Sequence, residues 1–222
     1  DLPSLVQFLI KDFVERGGKL VTKAGKCTIR SEADSVMGVA TKGGQLVEAD
    51  AVILAAGAAV PGLLADLGVT IPDATAISHL VTSRPVHHPL RAVLNTPRIS
   101  VRPTPEGALA MDSDWANAHI ARAEDGSYKL PPGIIESLLA EVSNVLEGQP
   151  ELAAAWHRIG PKPVPGDGEP ILGRVDDLDG LYVAFTHSGA TLGLIVGELM
   201  AYEIITGGVH PMLVDFNLRR FR

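Results

Sequence analysis

The chain has 222 residues, 46% of them hydrophobic and 20% charged, and 19 basic against 26 acidic side chains give a net charge of -7. This composition can bury a core and excludes intrinsic disorder, and the acidity, with no basic run longer than Arg219-Arg220, argues against nucleic acid held through phosphate neutralisation. A single cysteine, Cys27, excludes an intrachain disulfide and a Cys-rich metal site and favours a reducing cytoplasm. The longest stretch without Asp, Glu, Lys or Arg, Gly180–Gly197, holds four glycines and the polar run Thr186-His187-Ser188, so no membrane span is expected. Nothing in the composition opposes a homo-oligomer.

A first helix has Pro3 in its opening turn, an apolar stripe of Val6, Leu9, Ile10 and Phe13, and Gly17-Gly18 as its end. Strands are expected at Lys19–Thr22, Cys27–Arg30 and Val36–Thr41, then Gln45–Glu48 across the Gly43-Gly44 turn. Ala51–Leu54 has the texture of a strand buried on both faces, running into Ala55-Ala56-Gly57 and a short helix, Pro61–Leu67. From about Thr70 prolines punctuate short extended pieces at Ala76–Ser83, Arg98–Arg102 and Ala108–Asp112, which favours an antiparallel sheet with long loops. A helix follows Pro131-Pro132, with Ile135, Leu138, Leu139, Val142 and Leu146 on one face, and Leu152–Lys162 is expected to be a strand. A loop, Pro163–Gly173, leads to a strand at Leu181–Phe185 and a helix at Thr191–Ile205. The expected fold class is therefore α/β and α+β: an α/β domain in two stretches, 1–75 and 163–222, interrupted by an antiparallel-sheet domain at 76–162.

Three places offer chemistry. At 181–205 a buried strand turns through small polar residues straight into a helix, whose first N–H groups lack intrahelical acceptors and whose dipole favours negative charge. Gly189 and Ala190 would let a phosphate, a carboxylate or a flavin carbonyl approach closely, although the same residues also suit an ordinary helix capped by Ser188. The Pro- and Gly-rich run at 160–173 could hold Lys162 in a fixed place against an anion, or serve as a connector carrying a solvated lysine. Ala55-Ala56-Gly57 could bring backbone near a cofactor or close a packed strand end. The seven histidines show no metal-ligand spacing, no nucleophile elbow is present, Cys27 falls in an expected strand, and Asp176, Asp177 and Asp179 look like a solvated turn.

Taken together, PKPVPGDGEPILG at 161–173 and GLYVAFTHSGATLGLIVGELMAYEIITG at 180–207 resemble the C-terminal half of the FAD-dependent D-amino acid oxidase superfamily. That superfamily includes glycine oxidase, sarcosine oxidase and D-amino acid dehydrogenase. GVATKGGQLVEADAVILAAGA at 38–58 resembles its strand pair leading to an A-x-G motif, and DFNLRRF at 215–221 its terminal F-x-x-x-R-F. The resemblance implies a Rossmann-like FAD domain interrupted by a substrate domain, and oxidation of the CH–NH bond of a small amino acid, imino acid or secondary amine by hydride transfer to flavin N5. It places Gly57 and Gly160 near the cofactor and Cys27 or Thr28 at its adenine end. His187, Ser188, Gly189, Ala190, Thr191 and Leu192 would lie along the pyrimidine side of the flavin. Lys162 falls where the family carries a carboxylate-binding arginine, and it keeps the charge but not the bidentate fork. No catalytic side-chain base and no metal are implied. The family's G-x-G-x-x-G unit is absent from the 222 residues, and the chain opens on Asp1 close to a helix. Both features suggest an interior cut and a missing N-terminal nucleotide-binding half, with a non-catalytic binding or assembly module as the alternative.

Overall fold

The computed structural model describes residues 1–222. In chain order it begins with α1 (Leu2–Glu15), β1 (Thr28–Glu32), β2 (Ser35–Ala40), β3 (Leu46–Glu48), β4 (Val52–Leu54) and α2 (Val60–Ala65). Next come β5 (Ala76–Ser83), β6 (Leu94–Asn95), β7 (Ser100–Pro103), β8 (Leu109–Asp112), α3 (Asp114–Asn117), β9 (Ala121–Arg122), β10 (Tyr128–Lys129) and α4 (Ile134–Asn144). The chain ends with β11 (Ala154–Lys162), β12 (Ile171–Arg174), β13 (Leu181–Phe185), α5 (Gly189–Thr206) and two 3-10 turns, Pro211–Phe216 and Leu218–Phe221. These elements form two compact units, Ile77–Pro161 together with Asp1, and Leu2–Ala76 together with Lys162–Arg222.

The discontinuous unit is built on the sheet β12-β13-β4, in which β12 runs antiparallel to β13 and β4 runs parallel to it with Leu181 opposite Val52. Side chains alternate across such a sheet. Leu181, Val183, Phe185, Val52 and Leu54 face one core with Val60, Leu64 and Ile171. Tyr182 and Leu172 face the other way, against Leu199 and Met200 of α5 and Leu213. The antiparallel meander β1-β2-β3 adds Val36, Ile29 and Val39 to the first core, with a bulge between Arg30 and Ser31. Gly180 stands at the entry to β13 with φ +79°, where a Cβ would come within 2.5 Å of the Asp50 carbonyl oxygen, so both its conformation and its contact require glycine.

The inserted unit carries the sheet β11-β5-β8-β7-β6, covered by α4. Leu138, Leu139, Val142 and Leu146 recur at helical spacing and meet Val81, Val101, Leu109 and Met111 from alternate strand positions. Pro161 sits in β11, an edge strand, the place where a sheet tolerates proline.

Several expectations need correction. Lys19–Thr22 forms no strand; Leu20 and Val21 are 54% and 61% exposed, and no partner strand meets them. Cys27 precedes β1 rather than lying in it. Ile53 is 49% exposed, because β4 ends its sheet and the first turns of α5 stand off from this face. Ile171–Arg174 is a strand rather than part of a loop, its ladder completed by β13. The aspartates at 176–179 are not merely solvated: Asp176 takes a bidentate bond from Arg219, which holds its carboxyl below the usual range, while Asp177 pairs with Arg222 and Asp179 with Arg174. α5 is long and apolar enough by length and composition to cross a bilayer, which core helices of soluble proteins also satisfy. Its Glu203 is 2% exposed and accepts the Arg174 N–H, tying the helix to β12.

Candidate functional site

Beside the N-terminal half of α5 lies a largely apolar cavity of about 410 Å³. Ile53, Ala55 and Gly57 line it from the end of β4, Ala184, Thr186 and His187 from the end of β13, and Gly189, Gly193, Val196, Gly197 and Met200 from the helix, with Pro163 at one side. Gly57, Gly189, Gly193 and Gly197 each have open space where a Cβ would stand. Side chains there would project into the cavity or its mouth, so the glycines keep its walls at backbone level.

The helix start is held open by a chain of hydrogen bonds. Thr191 and Leu192 N–H groups both reach the Ser188 carbonyl, and the Ser188 N–H reaches Thr186 Oγ1, whereas the Gly189 and Ala190 N–H groups have no protein acceptor. Ser188 occupies the cap position without capping, a correction to the ordinary-cap alternative. Its hydroxyl is 2.8 Å from His187 Nδ1, and His187 Nε2 is 3.1 Å from the Gly168 carbonyl oxygen. A carbonyl can only accept, so Nε2 carries the ring proton, Nδ1 accepts from Ser188, and the hydroxyl is drawn away from the helix amides. Gly168 is placed in turn by Asp167, whose carboxylate takes two bonds from Arg220, at 2.8 and 3.1 Å. Arg220 also donates to the Glu169 and Phe216 carbonyls, and it holds the Asp167 carboxyl below its ordinary pKa.

Gly57, His187 and Gly189 thus line one cavity, with Ser188, Ala190, Thr191 and Leu192 in the same helical turn. Cys27 and Thr28 line a neighbouring groove that shares Ile53 and Ala55 with it. Lys162 closes β11, exposed and outside every ion pair, with its neighbour Pro163 on the cavity wall, and Gly160 lies two residues earlier in the same strand. No three His, Cys, Asp or Glu side chains gather around a point that could hold a metal. The sequence reading missed Ile53, Val196 and Met200. It also missed that Gly189, Gly193 and Gly197 recur every fourth residue, a stripe on one helix face that the sequence does display.

A family model described as FAD dependent oxidoreductase (DAO) matches residues 1–203. The chain belongs to that family. The family is FAD dependent, and its members are oxidoreductases. The chain is 26% identical over 195 residues to a D-amino acid dehydrogenase of Cereibacter sphaeroides, covering 87% of this chain and 44% of that protein. Its fold is similar to iminodiacetate oxidase from Chelativorans sp. BNC1, with TM-score 0.72, 20% identity, and coverage of 92% of this chain and 55% of the other. It is also similar to glycine oxidase from Bacillus cereus ATCC 14579, with TM-score 0.66, 22% identity, and coverage of 85% and 51%. The chain therefore spans about half the length of these relatives. The DAO fold matches the expected mixture of α/β and antiparallel-sheet structure, and the open glycine walls and unbonded amides of the cavity fit a planar ring with polar edges.

Proposed function

We propose that this chain serves an oxidoreductase acting on the CH–NH bond of a small amino acid, imino acid or secondary amine, with the flavin ring beside the N-terminal half of α5. The observation that carries it is the meeting of four open glycines and an uncapped helix start around one apolar cavity in a DAO-family chain. Bound there, FAD would supply a two-electron acceptor for oxidation of the substrate. Gly57, Gly189, Gly193 and Gly197 leave the ring face room. The Gly189 and Ala190 amides and the positive helix end would stabilise negative charge on a ring bound there. Apolar Ile53, Val196 and Met200 exclude water. Lys162 would offer a point charge for a substrate carboxylate, and Cys27 and Thr28, on the neighbouring groove, would hold the cofactor's adenine end.

We further propose that a segment outside these 222 residues holds the ADP half. Support comes from the unpaired outer edge of β4, from α1, in which no residue is buried, and from the lack of a G-x-G-x-x-G run. Lys162, where the resemblance implies a carboxylate-binding arginine, favours a second reading as a non-catalytic module of the DAO family.

One preparation separates the two readings. The protein encoded by the whole gene should carry a visible flavin band, bleached without oxygen by at least one of glycine, sarcosine, D-alanine or proline. A colourless protein would overturn the oxidoreductase reading in favour of the module. With a reducing substrate in hand, hydrogen peroxide formed in air marks an oxidase, and its absence marks transfer to another acceptor.

A further inference from the structure

A second cavity, of about 550 Å³, opens between the segment after β5 and the β7–β8 turn, and it is lined by residues of the inserted unit and Asp1. Its size is in the range of small-ligand sites. The Val86 N–H donates to the Gly107 carbonyl at 3.0 Å and ties the two walls together, while Pro103 and Pro105 stiffen the turn.

The lining is cationic in a chain of net charge -7. Arg91, Arg102, His87 and His88 face the cavity, and Asp1, which has interactions of its own, is the one acid among the lining residues. Neither arginine enters any of the ion pairs that lace the rest of the surface. Two guanidinium forks against one carboxylate leave positive charge to be met from outside, and each fork matches two oxygens of a tetrahedral oxyanion. Val86 and Leu90 add an apolar wall that a bare ion would not use.

We infer that this cavity binds a small phosphate dianion, with Arg91 and Arg102 gripping its oxygens and the apolar wall receiving an organic substituent. Calorimetric titration of the purified protein with inorganic phosphate and, separately, with glycerol phosphate tests this. Saturable binding with one ligand per chain, weakened by added sodium chloride, is the expected result. Tighter binding of glycerol phosphate identifies a monoester as the natural source, and equal binding identifies the free ion. Arg91→Met and Arg102→Met should each weaken binding at least about tenfold. Arg122→Met, in the same unit but outside the cavity, should leave it unchanged. Arg91 is exposed, so its variant should melt like the parent and keep the test valid even if Arg102→Met unfolds. Absence of saturable binding for both probes, or an equal loss in Arg122→Met, overturns the inference.

Discussion

Replacing Gly193 and Gly197 by alanine separates a cavity kept open for a ligand from glycines kept for packing. Both lie inside α5, neither has a positive φ, and neither has an atom within 4 Å of its would-be Cβ. Glycine in a helix interior is less favourable than alanine by about 0.5–1 kcal/mol, because it loses more backbone freedom on folding. With no clash to offset that gain, the double variant should be more stable than the parent by about 1–2 kcal/mol when flavin is absent. In a chain of this size that raises the melting temperature by about 2–8 °C. The same methyl groups stand in space assigned to the ring, so flavin retained on purification should fall, and Gly193→Leu should abolish it. Circular-dichroism melts of the stripped protein and the ratio of visible to ultraviolet absorbance read the two effects separately. A lower melting temperature without flavin would show that the space is not open. A higher one with full flavin retention would place the ring elsewhere.

Other outcomes follow from the surroundings of the site. Arg220→Met removes a bidentate pair whose side chains are 18% and 36% exposed, along with bonds to the Phe216, Asn217 and Glu169 carbonyls. After allowance for solvent screening at Asp167, the loss should be about 2 kcal/mol, read as a lower melting temperature at neutral pH. The Asp167 carboxyl is depressed by Arg220, so the charged part of this contribution is complete above the unfolded value of about 3.9 and is lost as pH falls toward the folded one. The gap between variant and parent should therefore narrow in acid, and a gap independent of pH would refute the assignment. Lys162→Met should raise the KM of a carboxylate substrate about tenfold with less effect on kcat, and Lys162→Arg should lower it. An unchanged KM in Lys162→Met removes that lysine from the role. Gly180→Ala should cost about 2 kcal/mol or more in urea unfolding, because it combines a left-handed φ with a 2.5 Å approach to the Asp50 oxygen.

What could be read from the chain was local. The apolar stripe of α4, the bounds of β5 and β13, and the glycine that ends α1 all follow from periodicity and punctuation within a few residues. What escaped depends on partners far away in sequence. β12 is short, follows Pro170 and contains Gly173 at φ +105°, so nothing in it signals a strand until β13 supplies the ladder. Lys19–Thr22 alternates acceptably but never meets a partner. The motif residues Asp167 and Arg220 could each be picked out, yet their contact across 53 positions, and through it the orientation of His187 and Ser188, appears only in three dimensions.

The parallel pairing of β4 with β13 also has a temporal consequence. Val52, Ile53 and Leu54 leave the ribosome long before Leu181, Tyr182 and Val183 exist, and the whole inserted unit is made in between. During that interval β4 lacks its one sheet neighbour, β13, while the Ile77–Pro161 stretch already contains its own sheet and covering helix. Synthesis therefore favours early folding of the insert, which draws the two halves of the outer unit toward each other and shortens the search that closes it. Until then β4 and its apolar flank are the segment most exposed to chaperones and to mispairing with another nascent chain.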